Sequence, residues 1–167
     1  MLPDPIKKFI EIFSTLPGIG VRQATRLAFK LIASGGNKIN EFAGAVDGLK
    51  RLKICSRCFF IHQNPVQSKG LDGAGKDNLC NICLDPNRLK NIIAVVEKET
   101  DLISLERTKK FKGQYLILGE LTKNGILDSG QKLRLNHLKA LIKQSGGQIE
   151  EIILAVNPTS YGDLNAL

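Results

Sequence analysis

Two pairs of cysteines constrain the fold of this chain more than any other feature of its sequence. Each pair has two residues between its members, and together they hold every cysteine of the chain: Cys55, Cys58, Cys80 and Cys83. Two thiolates on one tight turn can bind a single metal ion, and a second such turn completes a tetrahedral sulfur site. Zinc accepts four sulfur ligands in a closed shell that leaves no position for water. The spacing therefore predicts a structural zinc site.

Two other uses of paired cysteines, redox catalysis and disulfide bonding, fit the sequence less well. A redox pair would not need a second copy. Disulfides are typical of secreted chains, and the opening Met-Leu-Pro-Asp-Pro lacks the basic and apolar regions of a secretory signal. The longest aliphatic runs, residues 92–96 and 152–156, are too short to cross a bilayer. We therefore expect a soluble, cytoplasmic protein.

The chain carries a net charge of +8, and most of the excess lies before the first cysteine. Residues 1–54 hold nine Lys or Arg against four Asp or Glu, residues 55–90 hold five against three, and residues 91–167 hold ten against nine. A basic excess of this kind is typical of proteins that bind polyanions such as nucleic acid. These ranges are the predicted modules, and the first is the predicted docking region.

Apolar residues recur at helical spacing in three stretches before the first cysteine. The first helix is predicted over residues 5–16, and the second follows a turn at residues 17–20. Residues 34–36 (Ser-Gly-Gly) predict the end of the second helix, because glycine readily adopts a left-handed C-cap. A third helix is predicted around residues 39–49. None of these helices can bury its stripe alone, so each must pack on the others or on a second copy of the chain.

The turn at residues 17–20 (Pro-Gly-Ile-Gly) resembles the hairpin of the helix-hairpin-helix motif, a DNA-binding element that ignores base sequence. Gly18 and Gly20 let the backbone approach a phosphate, and the helix that follows offers free N–H groups and a partial positive charge. A basic stripe at four-residue spacing follows the turn: Arg22, Arg26 and Lys30. We predict DNA binding through phosphate contacts. The alternative is an ordinary helical hairpin with a solvated basic face.

After the last cysteine, the pattern alternates between strands and helices. A buried strand is predicted at residues 91–97, a second strand at residues 114–118 and a third, aliphatic strand at residues 152–156. Thr100 is the predicted cap of a helix that begins near Asp101, and a second helix, around residues 135–142, ends at residues 145–147 (Ser-Gly-Gly). This order predicts a small parallel α/β sheet covered on both faces.

The segment Val95-Val96-Glu97, with Asp101 four residues later, resembles the opening of a Toprim domain, the α/β module of topoisomerases, primases and some nucleases. Catalytic members add a later Asp-x-Asp pair, so that several carboxylates hold magnesium. The corresponding strand here ends in Asn157-Pro158-Thr159, which supplies no carboxylate. The resemblance therefore implies a Toprim scaffold without its chemistry.

Residues 70–77 match the phosphate-binding pattern GxxxxGK, but we predict an ordinary loop there. No apolar strand precedes the pattern, and Asp77 replaces the hydroxyl residue that would bind magnesium. His62 is an additional candidate metal donor. Because four cysteines already fill a tetrahedron, we expect a solvated histidine instead.

The order of these modules resembles the RecR family of bacterial recombination mediators from the N-terminus to the last residue. Matching segments include residues 16–20 (Leu-Pro-Gly-Ile-Gly), both cysteine pairs, residues 95–97 and residues 155–159. The resemblance implies a non-catalytic, multi-module α+β protein that assembles into a homo-oligomer, a dimer or a tetrameric ring, able to clamp single- or double-stranded DNA. It also implies partnership with RecO, and in many bacteria RecF, in loading recombinase onto single-stranded gaps.

In this family, basic hairpin residues face the DNA and acids of the Toprim face help to hold RecO. The matching positions in this chain are Arg22, Arg26 and Lys30 for DNA, and Glu97 and Asp101 for the partner. Family members usually read Asn-Pro-Thr-x-Glu-Gly-Glu before a further helix and strand, whereas this chain has Tyr161-Gly162-Asp163-Leu164. The last strand and the C-terminal arm of the family are therefore expected to be missing, which leaves closure of a ring open.

Two other functions compete with a DNA clamp. A Toprim nuclease or topoisomerase-like enzyme would need more carboxylates than the sequence supplies. A zinc-stapled protein–protein adaptor with no nucleic-acid role is the other possibility, and it would gain support if changing Arg22 and Arg26 to Glu left DNA affinity untouched. We therefore expect a non-enzymatic DNA-binding mediator of recombinational repair.

Overall fold

The computed structural model describes residues 2–63, 78–121 and 126–157, and the chain divides into two units, residues 1–51 and 52–167. In chain order the elements are helices α1 (Asp4–Phe13), α2 (Val21–Ala33) and α3 (Gly36–Gly48), a 3-10 turn (Leu49–Arg51), strands β1 (Lys53–Ile54) and β2 (Ile61–His62), helix α4 (Asn81–Leu84), strand β3 (Ile92–Val96), helix α5 (Glu99–Arg107), strand β4 (Gln114–Ile117), helix α6 (Ser129–Gln144) and strand β5 (Glu151–Ala155). The GxxxxGK segment at residues 70–77 lies outside the described residues.

Aromatic and alanine side chains hold the three helices of the N-terminal unit together. Phe9 and Phe13 stack with their ring centroids 4.0 Å apart, and Phe13 also lies 5.9 Å from Phe42 of α3. Ala24 and Ala28 are buried on α2, where small side chains let a neighbouring helix approach closely. All three predicted helices are present. The first helix ends at Phe13 rather than at residue 16. The N–H groups of Thr15 and Leu16 bond to carbonyls three residues earlier, as in a turn, and not four residues earlier, as in an α-helix.

An apolar groove remains open between these helices. It encloses about 490 Å³ and its lining includes Phe9, Phe42, Ile39, Ile32 and Val46. The last three side chains are 40–52% exposed. Three short helices therefore cover only part of their own apolar surface, which we name the helical groove.

The second unit is built on a three-stranded parallel sheet in the order β4-β3-β5. Val95 of β3 lies opposite Leu116 of β4 and Leu154 of β5. Successive side chains of a strand alternate between the faces of the sheet, and both faces of β3 are packed. One buried cluster contains Ile93, Val95, Leu116, Leu118, Leu121 and Leu138, and the other contains Ala94, Val96, Leu102, Tyr115 and Ile117. The predicted parallel sheet is confirmed.

Strand β5 differs from the prediction of a sheet covered on both faces. Ile152, Ile153 and Leu154 are 40%, 36% and 54% exposed, although they belong to an aliphatic strand. Within the part of the chain that the structure describes, β5 lies at the edge of the sheet, and Ala155 and the following Val156 pack against the two clusters. An aliphatic run therefore predicts a strand, but it does not predict whether other parts of the chain cover the side chains of that strand.

Side chains fix where helices α5 and α6 begin. Helix α5 starts at Glu99, not near Asp101, and the predicted cap Thr100 lies inside it. The Asp101 carboxylate accepts a hydrogen bond from the Lys98 backbone N–H at 2.9 Å instead. Asp128 and Gln131 form a reciprocal capping box at the start of α6. Within the described ranges, no helix combines the length and apolar character needed to span a membrane.

A half-buried ion pair joins the segment after the second cysteine pair to the sheet. The Arg88 guanidinium donates to the Glu106 carboxylate and to the Gly113 carbonyl, and it lies 5.7 Å from the centre of the Tyr115 ring. The hydrogen bond to Glu106 raises the pKa of Arg88. Burial acts to raise the pKa of Glu106, but hydrogen bonds and charge, Arg88 foremost, outweigh it and lower that pKa.

Candidate metal centre and nucleic-acid surface

The four cysteine thiols meet in one cluster. All four sulfur atoms lie within 4.8 Å of one another, with Cys58 Sγ 3.4 Å from Cys80 Sγ and Cys55 Sγ 3.8 Å from Cys83 Sγ. Cys55, Cys58 and Cys80 are buried, and Cys83 is half-buried. All four are free thiols, because a disulfide would need sulfur atoms about 2.05 Å apart. The residues predicted as metal ligands are therefore brought together.

These distances fit a tetrahedral zinc site. A Zn–S bond of about 2.3 Å places any two sulfur atoms of a tetrahedron about 3.8 Å apart, close to both measured separations. Four thiolates and no free position match the donor set of structural zinc sites. His62 is not one of the four clustered ligands; its Nδ1 lies 3.3 Å from the Gln63 carbonyl.

The pKa values of the thiols diverge within the cluster. Hydrogen bonds from Cys58 and then from Cys80 and Cys83 lower the pKa of Cys55. Contacts led by Cys55, together with burial, raise the pKa values of Cys58 and Cys83. Without a cation, some of these thiols therefore stay protonated. A divalent ion would stabilise all four thiolates, so binding would release protons.

Backbone hydrogen bonds shape the first cysteine turn and join it to the second. The Phe59 N–H donates to the Cys55 carbonyl at 3.0 Å, and the Cys55 N–H donates to Phe60. Phe59 takes a left-handed φ of 64°, which reverses the chain directly after Cys58. The Ser56 N–H donates to the Asn78 carbonyl at 2.9 Å and so joins the two turns.

The metal centre is attached directly to the sheet. The Cys58 carbonyl accepts a hydrogen bond from the Ile117 N–H of β4 at 2.9 Å. Phe59 lies under the Arg134 guanidinium at 5.1 Å and meets the His137 ring edge-on at 5.3 Å, both on α6. The centre therefore forms one unit with the α/β sheet, an attachment that the cysteine spacing alone did not indicate.

The glycine turn of the N-terminal unit has the backbone that its sequence predicts. Gly18 adopts a φ of +78°, and a Cβ there would strain the backbone although space is open around it. Gly20 is the N-cap of α2 in extended conformation. No side chain caps that helix end, so free N–H groups are left for an acceptor.

The predicted basic stripe is exposed along α2. Arg22, Arg26 and Lys30 are all exposed, and none forms an ion pair with a described residue. Three other cations of this unit are paired with acids: Lys7 with Asp4, Lys38 with Glu41 and Lys50 with Asp47. The stripe therefore keeps its charge available for an external anion.

Glu97 lies at the carboxyl edge of the sheet and is only 6% exposed. Its Oε1 accepts a hydrogen bond from the Leu121 N–H at 3.1 Å, and its Oε2 accepts one from Asn157 Nδ2 at 2.9 Å. Both carboxylate oxygens are thus bound to the protein itself. The sequence did not predict the contacts of Glu97 with Leu121 and Asn157. The contact with Asn157 could have been inferred, because an acid and an amide follow two strands of the same parallel sheet.

Other groups at this edge are more accessible. Asp101 is half-buried, and one of its oxygens holds the Lys98 N–H. Lys98 Nζ pairs with Glu120 Oε1 at 3.0 Å, and the Glu120 side chain is 75% exposed. Among the residues that the structure describes, the cysteine cluster is the only group of three or more His, Cys, Asp or Glu side chains placed to hold a metal ion.

Comparison with known proteins agrees with this arrangement. The family profile of the Toprim domain matches residues 91–167. The chain is 33% identical to "Recombination protein RecR" of Myxococcus xanthus over 173 residues, covering 100% of this chain and 78% of the relative. Similar relatives of the same name occur in Anaeromyxobacter sp. (36% identity, 98% and 76% coverage) and Lactococcus lactis subsp. cremoris (35%, 99% and 76%).

Replacing one thiolate should abolish tight metal binding. We expect Cys80→Ser to retain far less metal than the wild type after purification, and to unfold at lower temperature, because metal binding contributes to folding in such sites. Elemental analysis of the purified protein and thermal unfolding measure both effects. Ser56→Ala, in the first cysteine turn and without a ligand atom, is the control and should keep its metal. Equal metal content in Cys80→Ser and wild type would contradict the assignment.

Proposed function

Because the chain belongs to the RecR family of recombination proteins, we propose that it is a DNA-binding mediator of recombinational repair. The observation that carries the proposal is the exposed basic stripe on α2, whose cations form no ion pair with a described residue and which follows a turn with a left-handed glycine. Such a surface suits a phosphate backbone and offers no means of reading bases. Binding to single- and double-stranded DNA would therefore be sequence-independent and strongly salt-dependent.

Each residue of the turn and stripe has a proposed role in this binding. Gly18 and Gly20 bring the backbone close to a phosphate, and the free N–H groups at the start of α2 donate hydrogen bonds to its oxygens. Arg22, Arg26 and Lys30 contact successive phosphates along one strand. The exposure of all three side chains supports this assignment.

The metal is proposed to be zinc, held by Cys55, Cys58, Cys80 and Cys83. A closed set of four thiolates suits zinc better than a hard ion such as magnesium. The role is structural: the ion joins the two cysteine turns beside β4. No step of the proposed function uses the metal as a reactant.

We propose RecO, and RecF where it is present, as partners in loading recombinase onto gapped single-stranded DNA. The exposed acids at the carboxyl edge of the sheet are the candidate contact surface. Asp101 and Glu120 carry the accessible charge there. Glu97 would act from within, by holding Leu121 and Asn157 in place.

The protein is also proposed to act as a homo-oligomer, a dimer or a ring, through its helical groove. Half-exposed Ile32, Ile39 and Val46 line this groove, and apolar surface of this kind is typical of association sites. A second copy of the same helices offers a matching apolar stripe. Assembly would place several basic stripes along one DNA molecule and so raise its affinity.

Neutralising the stripe should weaken DNA binding. We expect Arg22→Gln/Arg26→Gln to lower affinity at least about tenfold at low salt, and to reduce the slope of log affinity against log salt by about 1.5, because two phosphate contacts are lost. Fluorescence anisotropy with a labelled oligonucleotide at several salt concentrations measures both. Lys139→Gln/Lys143→Gln, on α6, makes the same change in net charge and is the control. Unchanged affinity in the arginine variant would favour a protein–protein adaptor.

A charge placed in the groove should prevent self-association. We expect the molecular mass of the wild type in light scattering to be a multiple of the chain mass. The variant Ile32→Glu/Val46→Glu should be a monomer, because burying unpaired carboxylates is costly. Val21→Glu, an exposed apolar position outside the groove lining, is the control and should assemble. A monomeric wild type would overturn this part of the proposal.

The protein is proposed to have no catalytic activity on DNA. We expect supercoiled plasmid to stay intact with magnesium or manganese, because both oxygens of Glu97 are already bound to Leu121 and Asn157. Gel electrophoresis after prolonged incubation tests this expectation. Metal-dependent nicking that Glu97→Gln abolishes would establish a Toprim nuclease instead.

A further inference from the structure

We propose that the connection between α5 and β4 is a second phosphate-binding surface for nucleic acid. It carries four cations within six residues: Arg107, Lys109, Lys110 and Lys112. With Lys90, they form what we name the basic loop. The inference rests on the proposed function insofar as the ligand is nucleic acid, but it concerns residues far from the α2 stripe in sequence and in another unit.

The backbone gathers these cations at one end of the sheet. Helix α5 ends at Arg107, and Lys109 then takes a left-handed φ of 56° while its N–H donates to the Glu106 carbonyl. The Leu89 N–H donates to the Lys112 carbonyl at 2.9 Å, which places Lys90 beside Lys112. Cations from two separate segments therefore share one surface.

The charge of this surface is not neutralised by described neighbours. All five cations of the basic loop are exposed, and none forms an ion pair with a described residue. The nearby acids have hydrogen-bond or ion-pair partners outside the loop: Glu106 and Asp85 face Arg88, and Glu150 accepts a hydrogen bond from Asn91. Glu106 also attracts Lys112, so one acid offsets part of the charge of five cations. The near-balance of charge over residues 91–167 conceals this local excess.

Compensation of the helix dipole does not account for so many cations. The C-terminus of a helix carries about half a negative charge, which Arg107 alone would offset. Lys109, Lys110 and Lys112 extend beyond the last turn. Their positive charge is therefore available to an external anion.

The composition of the loop favours a phosphate backbone over a membrane or a base. Its one aromatic residue, Phe111, is half-buried and packs against Tyr115 with ring centroids 5.0 Å apart. Membrane insertion and base stacking both need an exposed apolar or aromatic side chain. Exposed lysines without such an anchor suit the sugar–phosphate chain of nucleic acid.

The location separates this surface from the acidic edge of the same sheet. The basic loop precedes β4 and adjoins the start of β3, whereas Glu97 and Asp101 follow the end of β3. In a parallel sheet these are opposite edges. Nucleic acid at the basic loop would therefore leave the proposed partner surface at the carboxyl edge accessible.

Replacement of three lysines tests the proposal in the full chain. We expect Lys109→Gln/Lys110→Gln/Lys112→Gln to reduce the slope of log affinity against log salt by about 2 with single-stranded DNA, and to lower affinity about tenfold or more at low salt. Lys132→Gln/Lys139→Gln/Lys143→Gln on α6 makes the same change in net charge at exposed positions and should match the wild type. Lys109→Arg/Lys110→Arg/Lys112→Arg should bind as the wild type does, and circular dichroism verifies folding.

Each outcome separates this proposal from the preceding one. Equal losses in the loop and α6 variants would mean a diffuse charge effect and would overturn it. Wild-type affinity and slope in the loop variant would also overturn it, while leaving DNA binding by the α2 stripe standing. A wild type that binds no DNA would refute both. If the glutamine variant fails to fold, a photocrosslinker at Lys110 must capture DNA more efficiently than one at Lys139, and equal capture would reject the proposal.

Discussion

Four sulfur atoms sharing one site are the constraint on which the second unit depends. Among the described residues, only Phe60, Leu79, Ile82 and the half-buried Cys83 pack against the buried thiols, so the cysteine turns have little apolar surface of their own. A core this small cannot order two separate turns, because fixing each residue costs about 1–2 kcal/mol of backbone entropy. A metal ion held by the four thiolates would supply the stabilisation that packing cannot. The ordered turns then present Phe59 and a carbonyl to the sheet, so the metal site and the α/β fold stabilise each other.

A buried carboxylate at the carboxyl edge of the sheet positions other parts of the chain. The carboxylate of Glu97 binds a backbone N–H and the Asn157 amide, and so ties the ends of neighbouring strands to a loop. The accessible charges lie elsewhere: cations on α2 and at the basic loop, and acids on Asp101 and Glu120. This distribution suits a protein that docks several partners at once.

Sequence patterns predicted the features that depend on neighbours in the chain. The cysteine spacing identified the cluster, Gly35 marked the end of α2, and aliphatic runs located all three strands of the parallel sheet. Features that depend on distant contacts were not predictable in this way. The exposure of β5 follows from its edge position, and the bond from Asn157 to Glu97 follows from strand order. The α5 start at Glu99 depended on the Asp101 carboxylate, rather than the Thr100 hydroxyl, making the capping hydrogen bond.

The hydrogen bond from the Ile117 N–H to the Cys58 carbonyl has a consequence for how metal loading can be observed. That amide lies inside a buried strand, yet its acceptor belongs to a turn that a metal ion held by the four cysteines would order. Without such an ion the acceptor would be free to move away, and the end of β4 would open to solvent. The exchange rate of this single amide proton with deuterium therefore reports occupancy of the metal centre from within the hydrophobic core.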